Sequence, residues 1–594
     1  MGRAKEELKA FLKSSGLYLP ARRALRPLRL YRSSQETRAH RDRYLDFKRR
    51  HSAALGQPLA PLRKSRGIAL VCSAHFPGVE LELGVIKALE LAGFTPLVLV
   101  RRQEWLLRKY YELASLREQV HNFYDYTEAP ELEAAQLLLD RCATPEDLLD
   151  CTYRNARVGS HALATALRQE QVAELDLHTA ADREILARYL ARSMAAADGA
   201  ARILQKFRPE LAVLVDKIHS PQGELFDLCL ANGVDCISWD LAHHGSNLRL
   251  KRFHPRNRGS SHDSMSAETW RRLRHMEFGN AHRQRLAEVL REDDPNREGQ
   301  RAPGQQYSVA PEELREQLGL DPDRKTAIVF PCPATDPTLF WGGSLYPSHA
   351  QWLVATLRAA IENDRIEWIV KLPSAPLASV LRDGSPREAA ELALIQTQLG
   401  TLPDHVILLG AESPISALSL LGITDYCVTV RHRLGIDAAR RGIPVLTAGR
   451  GAYDRHGFTF DSGTQEQYLT RLADIDYIAR LSGAARELAE RFAYGYYLLR
   501  TLPMTSVRLS RHESREAGAT RGRIAAQSAD DWYAAWDVNV LAEWLGEARD
   551  EDFLMPDECE VWCPGKVIDE EHPLLEEEVP SVVSGKLGLA RSLL

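Results

Sequence analysis

Residues 425–461 read DYCVTVRHRLGIDAARRGIPVLTAGRGAYDRHGFTFD, two short apolar runs with arginine, histidine and glycine set between them. An apolar run, a tight loop and a short helix predict a strand-to-helix turn. The unpaired N–H groups at such a helix start favour an anion. Arg431 and Arg433 supply charge beside those groups, and Gly435 would let a phosphate approach the backbone. Asp437, in the first helical turn, could accept a bond from a ribose hydroxyl; the ordinary role of such a residue is a first-turn helix acid. Gly449 and Gly451 make a second flexible turn after the next apolar run. Tyr453 could stack on or hydrogen-bond the same ligand, or pack as a half-buried loop aromatic. Together these residues suit a nucleotide phosphate.

A second set of residues could move protons. His75, Asp216, His219, Asp240, His243 and His244 all fall just past apolar runs that read as strands. A histidine or carboxylate there could deprotonate a hydroxyl, although each taken singly is as readily a loop cap or an exposed side chain. His219 and Asp240 are the favoured candidates for a base. Asp336 and Trp341, in FPCPATDPTLFWGG (330–343), could face a cleft or merely pack a loop. The chain carries no clustered His/Cys ligand set in its core. Cys559, Cys563 and His572 lie at spacings unsuited to a metal, so neither metal nor cofactor is expected.

These residues need elements to position them. From residue 67 the pattern predicts a strand (68–72), a helix (81–91) stopped by Gly93, and a strand (96–100), the βαβ start of a doubly wound sheet. A helical region spans about 104–206. Strand, helix and strand then recur in PELAVLVDK, GELFDLCLANG and VDCISWD. Residues 291–310, polar with Pro and Gly, read as a linker. A second series follows: KTAIVFP, IEWIVKLP, HVILLG, DYCVTV and IPVLTAG as strands, with helices between them and a long helix over about 476–499. The expected architecture is α/β, two Rossmann-like domains facing a cleft. Ligands should sit at the carboxyl ends of the strands.

The run from DYCVTVR to GFT resembles bacterial capsule and surface-polysaccharide biosynthesis proteins, glycosyltransferases of the two-domain GT-B fold. RPELAVLVDKIHSPQGELFDLCLANGVDCISWD is similar to that family's first-domain signature, and EWIVKLPSAP occupies the place of its K-x-H-P segment. The resemblance spans about 67–505 and is densest over 424–468. It implies a glycosyltransferase that moves a sugar, without metal, from a nucleotide sugar to a surface polysaccharide or lipid-linked glycan. It further implies donor contacts from Lys371, Arg431, Arg433, Gly435, Asp437, Gly449, Gly451 and Tyr453. An inverting enzyme would take its base from the first domain; a retaining one would use those residues only to bind acceptor. Leu372 stands where the family has histidine, Arg431-His432-Arg433 replaces its Arg-Gly-Thr, and Asp437 replaces a glutamate. The alternatives are a non-catalytic or regulatory binding member of a capsule machine, or a sugar-nucleotide epimerase of the same fold.

Composition bounds the rest. At 594 residues the chain exceeds one core, and 44% apolar with 26% charged residues is ordinary for a globular protein. No apolar run reaches the length of a membrane span, and nine scattered cysteines suit a reducing compartment. The expected location is the cytoplasm. Residues 1–66 hold 18 Lys/Arg against 5 Asp/Glu, so a net +13 arm precedes a body of −18. Such an arm fits a solvated helix pair or peripheral attachment to an anionic membrane at its inner face, and should be separable from the body. No nucleic-acid-binding signature supports a nucleic acid partner. The expected domains are an arm (1–66), an acceptor domain (67–290) with a helical insertion, a linker (291–310), a donor domain (311–510) and a polar, acidic tail (511–594).

Overall fold

A computed structural model describes residues 26–72, 78–101, 105–170, 172–242, 247–292, 309–334, 344–373, 390–410, 413–510, 521–546 and 550–556. His75, His243, His244, Asp336, Trp341, Cys559, Cys563 and His572 lie outside them, as does nearly all of the expected linker. Two parallel-core sheets form the molecule. The first holds β1 (Ile68–Cys72), β2 (Thr95–Val100), β3 (Val120–Asn122), β4 (Leu211–Leu214), β5 (Asp235–Leu241) and β6 (Asn247–Phe253), in the order β6-β5-β4-β1-β2-β3. The second holds β7 (Thr326–Phe330), β8 (Glu367–Lys371), β9 (Val406–Leu409), β10 (Tyr426–Thr429), β11 (Val445–Thr447) and β12 (Phe460–Asp461), in the order β12-β11-β10-β7-β8-β9. Strands such as IALVC and TAIVF are apolar throughout because helices cover both faces of a parallel sheet.

Each sheet reverses its winding once. In the first, β2 and β3 extend from one side of β1 and β4 from the other; in the second, β8 and β9 extend from one side of β7 and β10 from the other. Crevices outside the carboxyl ends of such strand pairs are where doubly wound sheets bind ligands.

The ends of the chain depart from the expected domains. The helix Arg26–Leu55 buries Phe47, Ala54 and Leu55 in the core of the first half. Its Arg43 pairs at 2.6 Å with Glu80, which is wholly buried on the helix Val79–Leu91. The arm is therefore joined to the body from about residue 42. At the other end, the helix Gly483–Tyr494 passes into a π-turn (Gly495–Leu499). The chain then re-enters the first half, where β13 (Leu502–Pro503) pairs antiparallel with β6. A hairpin of β14 (Val507–Ser510) and β15 (Arg521–Ile524) packs against the helix Val79–Leu91, as does the helix Trp536–Gly546. Trp532, Trp544 and Phe553 join the first core, and the Trp532 indole donates to Ala54 O at 2.8 Å. The expected boundary at 510 thus cuts through an integral part of the first half. The helices Ala267–His275 and Asn280–Glu292, placed by sequence in the first domain, contribute Leu273 and Leu286 to the second core instead. Among the described residues no helix is long and apolar enough to cross a membrane.

Candidate functional site

The loop after β4, residues 215–221, is turned by Asp216. Its Oδ1 accepts the N–H groups of Ile218 (2.8 Å) and His219 (3.1 Å). Its Oδ2 takes the Nδ1 side of the His219 ring at 2.8 Å and Arg168 Nη1 at 3.2 Å. Burial alone would raise the Asp216 pKa; His219, Arg168 and the Ile218 N–H outweigh it and hold the carboxyl well below its usual range. Arg168 Nη1 also lies 3.2 Å from His219 Nδ1. The shorter contact with an acceptor-only carboxylate decides the tautomer: Nδ1 carries hydrogen and donates to Asp216. In the neutral ring, Nε2 is then a lone pair. That atom is buried without a hydrogen-bond partner among the described residues.

His219 lines a cavity at the first sheet's reversal. Cys72 at the end of β1, Val100 at the end of β2 and Phe123 form its apolar side; Thr165, Arg168, Asp216 and Gln222 form its polar side. The helical insertion therefore supplies part of the site. The helix Val158–Glu170 carries His161, Thr165 and Arg168 at i, i+4 and i+7, one face of a helix. His161 meets Ile218 O, Thr165 Oγ1 accepts from Ser220 N, and Arg168 meets Asp216. Sequence reasoning passed over these three residues. The H-x3-T-x2-R spacing was the available signal, but nothing local says which loop that face meets.

Asp240, the other favoured base, sits near the end of β5 and is 49% exposed on its side chain. Its Oδ2 contacts His262 Nε2 at 3.0 Å and its Oδ1 accepts from Leu241 N. Burial lowers the His262 pKa, but Asp263 and Asp240 raise it further, so the net shift is upward. Asp240 is thus held in an ion pair, and the cavity residues do not include it.

In the second half, β10 ends at Thr429, whose hydroxyl donates to Phe330 O at 2.8 Å and accepts from His432 N at 3.1 Å. This bond turns residues 430–433 over the end of β7. The His432 ring stacks on Phe330 with centroids 5.4 Å apart, and burial together with Arg433 pushes its pKa down to about 4. Arg431 and Arg433 stand on this loop, at the second sheet's reversal. A Cβ on Gly451 would lie 2.6 Å from Arg431 Cβ, so the turn after β11 rests directly on the arginine loop. Gly449 lies half-buried in that turn.

Four expected donor contacts have other work. Gly435 accommodates Tyr453: a Cβ there would stand 2.1 Å from the tyrosine hydroxyl. Tyr453 itself is buried and donates to His432 O at 2.7 Å, which locks the loop rather than offering a ring to a ligand. Asp437 is 1% exposed and accepts from Tyr497 (3.0 Å) and Arg440 (3.1 Å), so it is a buried anchor for the short helix Leu434–Arg440. Lys371 at the end of β8 is buried and donates to Gly410 O at 3.0 Å, holding the loop after β9. Leu372 is 1% exposed and belongs to the apolar cluster that also holds Val430, so its side chain is core packing rather than exposed surface.

No family model matches the chain, and no curated protein matches it. Among solved structures it is similar to a KpsC β-Kdo 2,7 transferase from Thermosulfurimonas dismutans. That match has 13% identity and a TM-score of 0.29, over 57% of this chain and 88% of that one. The S. aureus MnaA structure with UDP matches at 12% identity and TM-score 0.27, over 73% and 97% of the two chains. Arabidopsis thaliana UGT89C1 complexed with UDP matches at 12% and 0.26, over 81% and 100%. Likeness at this level gives no residue correspondence, and the site stands on its own geometry.

Proposed function

We propose that the protein is a glycosyltransferase. In this reading a nucleotide sugar lies at the reversal of the second sheet, with its phosphates on the loop of Arg431 and Arg433 and the Gly449 and Gly451 turn. A glycan or lipid-linked acceptor presents a hydroxyl in the cavity at the reversal of the first sheet. His219 Nε2 takes the hydroxyl proton while the acceptor oxygen attacks the anomeric carbon. The bond from that carbon to the donor's phosphate oxygen breaks, its electron pair leaves with the phosphate, and the two arginines offset the charge that develops. A base placed this way belongs to a single displacement, so the product anomer is inverted.

One observation carries this reading: the Asp216/His219 pair, whose carboxylate fixes the tautomer and leaves a lone pair on Nε2 of a histidine that lines a cavity at a sheet reversal. An orienting acid behind a histidine is how a general base is built. The test is a panel of nucleotide sugars incubated with the purified protein and mixed glycan acceptors, scored for nucleotide release and product anomer. Transfer with inversion is expected. Nucleotide binding without any transfer would favour a binding protein, and a retained anomer would remove His219 from the role of base.

A further inference from the structure

We propose that His161 is the positioning residue for His219, held as an imidazolium that suspends the loop of the candidate base from a buried ion pair. This rests on the transferase reading for its purpose but not for its geometry. His161 is wholly buried. Its Nδ1 lies 2.6 Å from Ile218 O and its Nε2 lies 2.9 Å from Asp227 Oδ2. A backbone carbonyl and a carboxylate are both acceptors only, so each nitrogen must carry hydrogen to make its bond. Two donating nitrogens mean a charged ring.

The surroundings suit that charge. Asp227, on the helix Gln222–Ala231, also takes Arg258 through two bonds of 2.6 and 2.7 Å. Glu224 on the same helix is wholly buried and accepts from Ser193 of the helix Ala180–Phe207. Lys217, the remaining cation of the loop, directs its amine to Arg258 O (2.7 Å) and Ser260 O (2.8 Å); burial, with Arg258 and Lys251 nearby, pushes its pKa down to about 7. His161 and Arg258 thus both face Asp227, and Glu224, whose own pKa burial pushes up, adds a second carboxyl beside the ring. Burial lowers the His161 pKa, but Asp227 and Glu224 raise it further, and the net direction is upward. The ring also needs Gly223, where a Cβ would stand 2.2 Å from His161 Nδ1.

Ile218, whose carbonyl His161 holds, is the residue before His219. That carbonyl shares a peptide plane with His219 N, which donates to Asp216 Oδ1 at 3.1 Å, so moving it shifts this bond and with it the tautomer-fixing contact to His219. A displacement on the order of 1 Å at a reacting group can cost about a hundredfold in rate.

The experiment is NMR of ring-¹⁵N histidine in the full chain without substrate, with His161 and His219 assigned by the disappearance of their signals in His161→Gln and His219→Asn. In the wild type at pH 7.5 both His161 nitrogens should show imidazolium shifts, while His219 shows one protonated Nδ1 and one unprotonated Nε2. A glutamine side chain carries both its donors on one nitrogen, so it cannot span Ile218 O and Asp227, which the ring meets from two nitrogens, and His161→Gln should turn the His219 signals into a tautomer mixture. Transfer should fall at least about tenfold with nucleotide-sugar Kd unchanged. A neutral His161 in the wild type, or unaltered His219 signals in His161→Gln, would overturn the proposal. The wild-type measurement does not depend on the variant folding. Failure of the transferase reading would show separately, as absent transfer with these signals intact.

Discussion

At the scale of the residue, the two arginines of the loop after β10 part company. Arg431 is half-buried against Gly451 between two loops, whereas Arg433 lies within 4.0 Å of the buried Asp437. A charge-assisted bond contributes roughly 1.5–3 kcal/mol. Arg431→Ala should therefore weaken nucleotide-sugar binding about tenfold or more by calorimetry. Arg433→Ala should lower the melting temperature as well, because Asp437 loses a facing charge. Leu372 is instructive in the opposite sense. The family resemblance suggests restoring a histidine there, but the side chain fills an apolar core. Leu372→His should destabilise the protein by about 3 kcal/mol, through a cavity mismatch and a buried polar ring, without tightening nucleotide binding. Tighter binding in a stable variant would mean that this side chain reaches the site.

At the scale of the element, the contact between two loops is the testable feature. Gly451→Ala would force Arg431 aside, and we expect about a tenfold loss of nucleotide-sugar affinity with the fold retained; unchanged affinity would separate the second turn from the site. The strands β1, β2, β4, β5 and β7 to β11, their order of appearance and the arginine loop were legible in the sequence because parallel strands are apolar runs bounded by glycine, whereas β6 and β12 to β15 were not read as strands. The first half's site was only half legible. His219 could be named from its place after a strand, yet Thr165 and Arg168, which grip its loop, belong to a helix some fifty residues earlier. Helical periodicity shows a face without showing its partner. Tyr453, Asp437 and Gly435 were misread for a related reason. Tyrosine, aspartate and glycine near a loop suit a ligand and suit loop packing equally, and burial decides between them. The short strand β3 was hidden in the helical region by its polar residues, His121 and Asn122.

At the scale of the whole molecule, both ends of the chain complete the first half, and buried ion pairs fasten the returning segment. Asp552 is 1% exposed and meets Arg500 at 2.9 Å, Lys251 at 3.1 Å and the Ser266 N–H at 2.7 Å. Burial would raise its pKa, but Arg500, Lys251 and Ser266 bring it from 3.8 to about 2. A depressed carboxyl stabilises the fold above its unfolded pKa and loses that contribution as pH falls through the folded one. The window is thus about pH 4 to 2, and the contribution about 2 kcal/mol. Asp552→Asn should cost about 3 kcal/mol at pH 7 by urea unfolding, and its stability should fall less steeply than the wild type's from pH 5 to 3. Parallel pH curves would contradict this. The two halves are joined by the same returning chain: Arg249 of β6 holds Tyr496 O at 3.2 Å while the adjacent Tyr497 holds Asp437 beside the arginine loop. The sheet reversals with His219 and Arg431 are thus parts of one scaffold, and the central claim is that they act on one reaction. The most direct measurement compares wild type and His219→Asn at saturating nucleotide sugar and acceptor, with donor Kd measured in parallel. The account predicts equal donor affinity and a turnover lower by about a hundredfold or more; an asparagine variant that turns over at the wild-type rate would contradict it.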